Sequence, residues 1–246
     1  EYNISLLVNA DNAIDVAHAT RCPLPFLSCM VDDCIKRGKT VQEGGAVYNF
    51  TGPQGFGIAN MADSLYAIRK LAFDEKKVTL GEWKRALAMN YGEGLDAISA
   101  AEIVTQIVKE MEEKGMTPGE AEIAEMLRTV MTTELPEEEK KRYQEIRAMI
   151  EEVPKFGNDN EEVDYFAREV AYTYTRPLLK YHNPRGGQFQ AGLYPVSANV
   201  PLGAQTGATP DGRLAHTPVA DGVSPSAGKD VHGPTAAANS VSKLDH

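Results

Sequence analysis

The amino-acid sequence predicts an α/β or α+β enzyme core, with helices packed around short glycine-rich strands. Three observations predict it. Apolar residues recur at helical spacing through most of 1–36, 61–91 and 95–182. Residues 44–57 read Gly-Gly-Ala-Val-Tyr-Asn-Phe-Thr-Gly-Pro-Gln-Gly-Phe-Gly, five glycines set among strand-forming Val47, Tyr48 and Phe50. From Arg185 onward, glycines punctuate short strand-like pieces such as Gln188–Val196.

Ile4, Leu7, Val8, Ile14 and Ala17 predict a helix over residues 1–20, stopped by Pro23 and Pro25. A second helix is expected from Phe26 to about Lys36, with Gly38 as its stop. Glycines inside a β-prone run mark bulges, corners or close approach of a second backbone, so 44–57 is expected to be buried where side chains have no room. Met61–Phe73 reads as an amphipathic helix with Leu65, Ile68 and Ala72 on one face. Thr79 is placed to cap Leu80–Tyr91, with Glu82 completing a capping box. Further helices carry Ile103, Ile107 and Met111 up to Gly115, then Ile123, Leu127 and Val130 after Thr117-Pro118, then Tyr143, Ile146 and Ile150 after Leu135-Pro136. A last long helix spans 161–182 and ends at Asn183-Pro184, and Thr209-Pro210-Asp211-Gly212 is a turn signal.

A chain of 246 residues, 42% hydrophobic and 24% charged, is soluble-globular in composition and makes one large domain or two ordinary ones. No apolar run approaches the roughly 18 residues of a membrane helix. Glu1-Tyr2-Asn3 is not the basic start of a signal peptide, and the cytosol is the expected location. Cys22, Cys29 and Cys34 match neither CxxC nor a zinc pattern and are expected to be buried thiols. A net charge of −10 disfavours nucleic acid, whose phosphates need a basic face. Between Leu95 and Glu152, 15 acidic and 7 basic residues carry −8 of that total, with Glu and Lys on outer faces, as in a solvated helical hairpin.

Motif chemistry is sparse. Gly52-Pro-Gln-Gly-Phe-Gly lacks the lysine of a phosphate loop and the GxGxxG spacing. No two histidines stand four apart, and His216 and His232, with Asp221 and Asp230 nearby, are weak ligand material. There is no GxSxG elbow, and Cys29 has no partner base. Asp63 opens a helix and reads as a cap. Arg185 and Phe189 flank a Gly-Gly pair, which suits either a tight pocket or a plain strand start with a surface arginine.

A series of motifs nonetheless resembles the glycyl radical enzymes, the pyruvate formate-lyase-like group. They are Pro23-Leu-Pro-Phe-Leu-Ser28, Gly44–Gly55, Ala62-Asp-Ser-Leu65, Phe156-Gly-Asn-Asp159, Asn183-Pro-Arg-Gly-Gly187, Gly207-Ala-Thr-Pro-Asp-Gly-Arg213, Ala220-Asp-Gly-Val-Ser-Pro225, Gly233-Pro-Thr-Ala236 and Ser240–His246. The resemblance implies roughly the second half of a ten-stranded α/β barrel surrounded by helices, residues 1–246 being one partial barrel domain. It implies that a radical stored on a backbone glycine passes to a cysteine, whose thiyl abstracts hydrogen from a small substrate. It also implies a radical SAM activating enzyme as partner, a homodimeric parent, no bound cofactor besides the glycyl radical, and no metal, nucleic-acid or membrane partner.

Two departures accompany it. The family's Gly-Cys-Val-Glu and Arg-Val-x-Gly-Tyr motifs do not occur, so the chain resembles an internal fragment with no catalytic radical residue, inactive alone. About forty extra residues in the acidic 95–152 segment read as a peripheral helical insertion. The strand Gln188–Gly192 is implied to line the pocket, naming Phe189 and Ala191 as substrate-facing; Arg185 either holds an anionic head group by a bidentate contact or is structural. The wording of Gly207–Arg213 is nearer the dehydratase and lyase branch, whose members cleave C–X or C–C bonds as dehydratases, sulfite-lyases, amine-lyases or decarboxylases. Formate C-acetyltransferase itself and a non-catalytic half-barrel partner protein are the alternatives.

Overall fold

Helix order follows the apolar periodicity closely, whereas the strands do not form a regular sheet. The computed structural model describes all residues except 96, 132–134 and 245–246, and gives no account of the side chains at 97–99, 102 and 131. The final Asp245-His246 of the last motif therefore lies outside the described residues. Contacts divide the chain into two units, 1–55 with 169–194, and 56–168 with 195–246.

The first unit holds α1 (Tyr2–Arg21), α2 (Pro25–Ser28), α3 (Cys34–Arg37) and the C-terminal part of α9 (Glu161–Leu178). Pro25 opens α2 rather than stopping a helix, because proline has no N–H to lose at a first helical position. The continuous helix expected from Phe26 to Lys36 is broken between α2 and α3, where Asp33 adopts a left-handed backbone with φ 70°. Gly38 ends α3 in the left-handed conformation as expected. The apolar centre is Val8, Leu178 and Phe189, with Ile4, Tyr174, Tyr181 and Ala191 packed against it. Val8 is the one fully buried residue of α1, so Leu6, Ile14 and Val16 are about half exposed. The cysteines depart from expectation: Cys22 and Cys29 are exposed and only Cys34 is buried.

The second unit contains α4 (Ile58–Ile68), α5 (Leu80–Ala88), α6 (Ala97–Glu113), α7 (Glu120–Met131), α8 (Glu137–Glu151), the start of α9, α10 (Asn199–Ala204) and α11 (Pro234–Ser242). The Thr79–Glu82 capping box forms with both reciprocal hydrogen bonds. On α4 the buried face is Ala59, Ala62, Asp63, Tyr66 and Ala67; of the expected stripe, Ile68 and Ala72 pack against this core, whereas Leu65 is 39% exposed. Small alanines let α4 sit close to Trp83, Tyr143, Ile146, Ile150, Phe156 and Val163, so the helix turns its alanine side inward. The acidic segment is not uniformly peripheral either. α6 and α7 pack on each other, but α8 places Tyr143, Ile146 and Ile150 in the core. Its outer face carries the charge while its inner stripe carries the packing. Lys243, just after α11, binds Asp159 (2.6 Å), Glu161 (2.9 Å) and Asp164 (2.9 Å), fastening α11 to the start of α9.

Candidate active-site wall and the knot of motifs

The glycine-rich run meets the 183–193 segment in the first unit. Thr51 pairs in parallel with Phe189, and Gln54 with Gly192. Thr51 N donates to Gln188 O (3.2 Å), Gln190 N to Thr51 O (2.9 Å), Gly192 N to Pro53 O (2.8 Å) and Gly55 N to Gly192 O (2.8 Å). A regular strand over 44–57 does not form. Pro53 has no N–H to give a ladder, and the pairing survives only as isolated bridges among the described residues. The expected burial of the aromatics is not seen: Tyr48 is 84% and Phe50 55% exposed.

The expected close backbone approach is seen. A Cβ on Gly187 would lie 1.8 Å from Asn49 O, and one on Gly44 2.9 Å from Arg185 O. Asn183 arranges the turn that brings them together. Its Oδ1 accepts from Arg185 N (3.1 Å) and Gly187 N (2.9 Å), while its Nδ2 donates to Asn49 O and to Thr51 Oγ1 (2.8 Å).

Arg185 donates from Nε to Asp15 Oδ2 (2.9 Å) and from Nη2 to Thr51 Oγ1 (3.1 Å) and Phe50 O (3.3 Å). Its guanidinium thus ties α1 to the glycine-rich run. Phe189 is fully buried against Val8 and Leu178, and Ala191, two residues on and so on the same face, packs beside it. That face points to the helices of the unit, while Gln188 and Gln190 on the opposite face are exposed. Tyr174 OH donates to Pro53 O (2.8 Å), and burial pushes its phenol up to about 12. Asp15 was not signalled by any motif. It sits on α1, 170 residues before its partner, and nothing local marks it.

The second unit joins the motifs at 62–65, 156–159, 207–213 and 220–225 through a buried polar knot. Asp63 is not a cap; Gly57 occupies that position, and Asp63 Oδ1 accepts from Phe156 N at 2.7 Å. Its Oδ2 has no hydrogen-bond partner among the described residues. Burial pushes the Asp63 carboxyl up to about 7, against the opposing pull of the Phe156 N–H and the nearby Lys155 ammonium. Lys155 is itself buried, which lowers it, and donates to Val153 O (2.7 Å) and Ile150 O at the end of α8. Asn60, one turn before Asp63, donates to Asp211 Oδ2 (2.6 Å) and Ser226 Oγ (3.2 Å) and accepts from Ala220 N (2.6 Å). The 209–212 turn forms as expected, with Gly212 N bonded to Thr209 O (3.1 Å). Gly157 lies where a Cβ would meet Pro225 Cγ at 2.3 Å, and Asp159 N donates to Ser240 Oγ (2.9 Å). Stretches that are far apart in sequence are therefore hydrogen-bonded and packed to each other.

This convergence is matched by the comparisons with known proteins. The family model described as pyruvate formate lyase-like matches residues 1–203. The chain belongs to that family. This pyruvate formate lyase-like chain is 67% identical to the solved structure addressing 1,2-propanediol dehydration in Roseburia inulinivorans, with a TM-score of 0.91 over 100% of this chain and 29% of that one. It is 48% identical to the B12-independent glycerol dehydratase of Clostridium butyricum, with a TM-score of 0.74 over 100% of this chain and 25% of that one. Among curated relatives, it is 37% identical over 223 residues to the probable dehydratase YbiW of Escherichia coli (strain K12), 88% of this chain and 22% of that protein. The chain spans about a quarter of the length of the curated relatives it matches. Relatives named as dehydratases, decarboxylases and sulfite-lyases make the family an enzymatic one, of glycyl radical lyase type. Among the described residues, no helix is long and apolar enough to cross a membrane.

Proposed function

We propose that this chain is the part of a glycyl radical dehydratase that supplies one wall of its barrel, and that the whole enzyme removes water from a small vicinal diol. The observation that carries this reading is the 67% identity, over the full chain, to the structure concerned with 1,2-propanediol dehydration. Identity to relatives named for sulfite or carboxylate loss is only about half that or less. The wall is the pair of segments 49–55 and 187–193, drawn together by main-chain bonds and by glycines that leave no space for side chains. A wall sealed at backbone level excludes water, which radical chemistry requires.

Arg185, Phe189 and Ala191 act here as positioning residues. Phe189 and Ala191 seat the second segment on α1 and α9, and Arg185 links it through Asp15 and Thr51. The glycyl radical, when installed in the whole enzyme by a radical SAM activase, supplies the hydrogen abstraction, and no residue of this chain is assigned to that step. A homodimeric parent is part of the same reading.

The full-length protein carrying this chain, activated without oxygen, is expected to convert 1,2-propanediol to propanal and water, measured as aldehyde formed per activated enzyme. No aldehyde from propanediol or glycerol, with turnover of a hydroxyproline or a sulfonate instead, overturns the diol assignment. The 246-residue chain alone, treated with the activase, is expected to show no glycyl radical doublet in electron paramagnetic resonance.

A further inference from the structure

Two of the sequence motifs that carry the family likeness, 207–213 and 220–225, border a cavity of about 260 Å³ in the second unit. It is lined by Asn60, Arg147, Glu151, Asp211, Ser226 and Lys229, among others, and is open to solvent on one side. The bookkeeping of its donors and acceptors is lopsided.

Most of the side-chain acceptors are used; among the described residues Glu151 Oε1 is the exception. Asp211, 5% exposed, takes Asn60 Nδ2 on Oδ2 (2.6 Å) and both Arg213 N (3.3 Å) and the Thr209 hydroxyl on Oδ1. Glu151 Oε2 takes Lys229 Nζ. Asn60 spends its amide hydrogens on Asp211 and Ser226 and its oxygen on Ala220 N. The Arg213 guanidinium is committed to Thr209 Oγ1 and to the carbonyls of Thr206, Gly207, Leu214 and Thr217.

Donors are left over. Arg147 gives Nε to Gly212 O (2.9 Å), yet among the described residues its two terminal nitrogens make no hydrogen bond and it has no ion-pair partner. Lys229 Nζ uses one of its three hydrogens, on Glu151. The Ser226 hydroxyl accepts from Asn60 and donates to none of the described residues. Three cations, Arg147, Arg213 and Lys229, face two carboxylates, Glu151 and Asp211. A cavity with surplus donors and surplus positive charge calls for a ligand built of acceptors.

We propose that this cavity binds a small oxyanion, a free carboxylate or phosphate group, held in bidentate fashion by the Arg147 terminal nitrogens, with Lys229 and the Ser226 hydroxyl as further donors. The planar fork of arginine matches two oxygens of either group, and the ammonium adds charge without fixed geometry. The volume lies just below the range usual for small-molecule pockets and suits a metabolite-sized acid.

The test is isothermal titration of the 246-residue protein with inorganic phosphate and with acetate at low ionic strength. One saturable site is expected for at least one of them. Arg147→Lys, which keeps the charge and loses the fork, is expected to weaken it about tenfold, and Lys229→Gln several-fold. Lys36→Gln, on α3 in the other unit, is expected to change nothing. Arg147 also holds Gly212 O, so thermal unfolding is measured on each variant, and Lys229→Gln leaves that bond intact. Absence of saturable heat with either ion overturns the proposal. So does binding that is unchanged in a normally folded Lys229→Gln variant. Binding by the 246-residue chain that vanishes in the full-length protein also overturns it, since the donors then serve a carboxylate of the polypeptide itself.

Discussion

The wall at 49–55 and 187–193 and the polar knot around Asn60, Asp63 and Asp211 are both built from glycine-rich signature motifs, yet they are held together by opposite means. The wall depends on what its residues lack. Gly187 lets the Asn49 carbonyl pass where a methyl group would stand, and the bonds across the wall are mostly main chain. The knot depends on what its residues carry. Asn60 reaches Asp211, Ser226 and Ala220 with one buried amide, and Asp63 meets Phe156 N. The wall is therefore vulnerable to any added atom, and the knot to any removed or ionised one.

Adding an atom to the wall breaks this comparison most sharply. Gly187→Ala sets a Cβ 1.8 Å from a carbonyl oxygen, an overlap that only backbone movement relieves. A loss of more than about 3 kcal/mol is expected in denaturant titration, the range of severe core clashes. A loss under about 1 kcal/mol means the two segments are free to part, and the wall is not the rigid element described.

The knot is probed by pH. Asp63 is raised to about 7 in the folded protein, whereas an unfolded aspartate titrates near 4. Between those values the folded state holds a proton that the unfolded state has lost, so stability is complete below about pH 4 and falls as pH rises toward 7. By pH 8 the ionised carboxylate costs up to about 4 kcal/mol, with Lys155, Asp211 and Lys229 the charged groups around it. Asp63→Asn should flatten this profile, and the gap between variant and wild type should widen from pH 4 to pH 8 in thermal unfolding. Parallel profiles would show that Asp63 is ionised throughout.

The smallest effect is expected outside both regions. Replacing the α6–α7 hairpin, residues 97–131, by a short Gly-Ser linker should shift stability by less than about 1 kcal/mol, because these helices pack chiefly on each other. The excision stops before Leu135, which packs on the core, and spares α8. Loss of soluble protein would mean the hairpin is structural after all.

Much of this architecture was legible because its signals are local. The Thr79–Glu82 capping box, Gly38 at the end of α3, the 209–212 turn and the order of the long helices each depend on residues within a turn of one another. What the sequence hid is non-local. The inward face of α4 is chosen by what lies opposite, so Leu65 stays partly exposed while Ala59 and Ala62 are buried. Asp63 looks like a cap until Phe156, 93 residues away, arrives at its oxygen. The Arg185–Asp15 pair spans 170 residues and has no periodicity to betray it. Close approach at 44–57 could be read from its glycines, but which backbone came close could not.

Gly187, Gly45 and Gly203 share a further consequence, since a Cβ at each would fall within 2.3 Å of a backbone oxygen. Nineteen of the twenty amino acids are thereby forbidden, and none is a half-measure, because alanine already carries the offending atom. Gly81 and Gly119, with open space around them, face no such prohibition. At the first three, any side chain at all requires the backbone opposite to move.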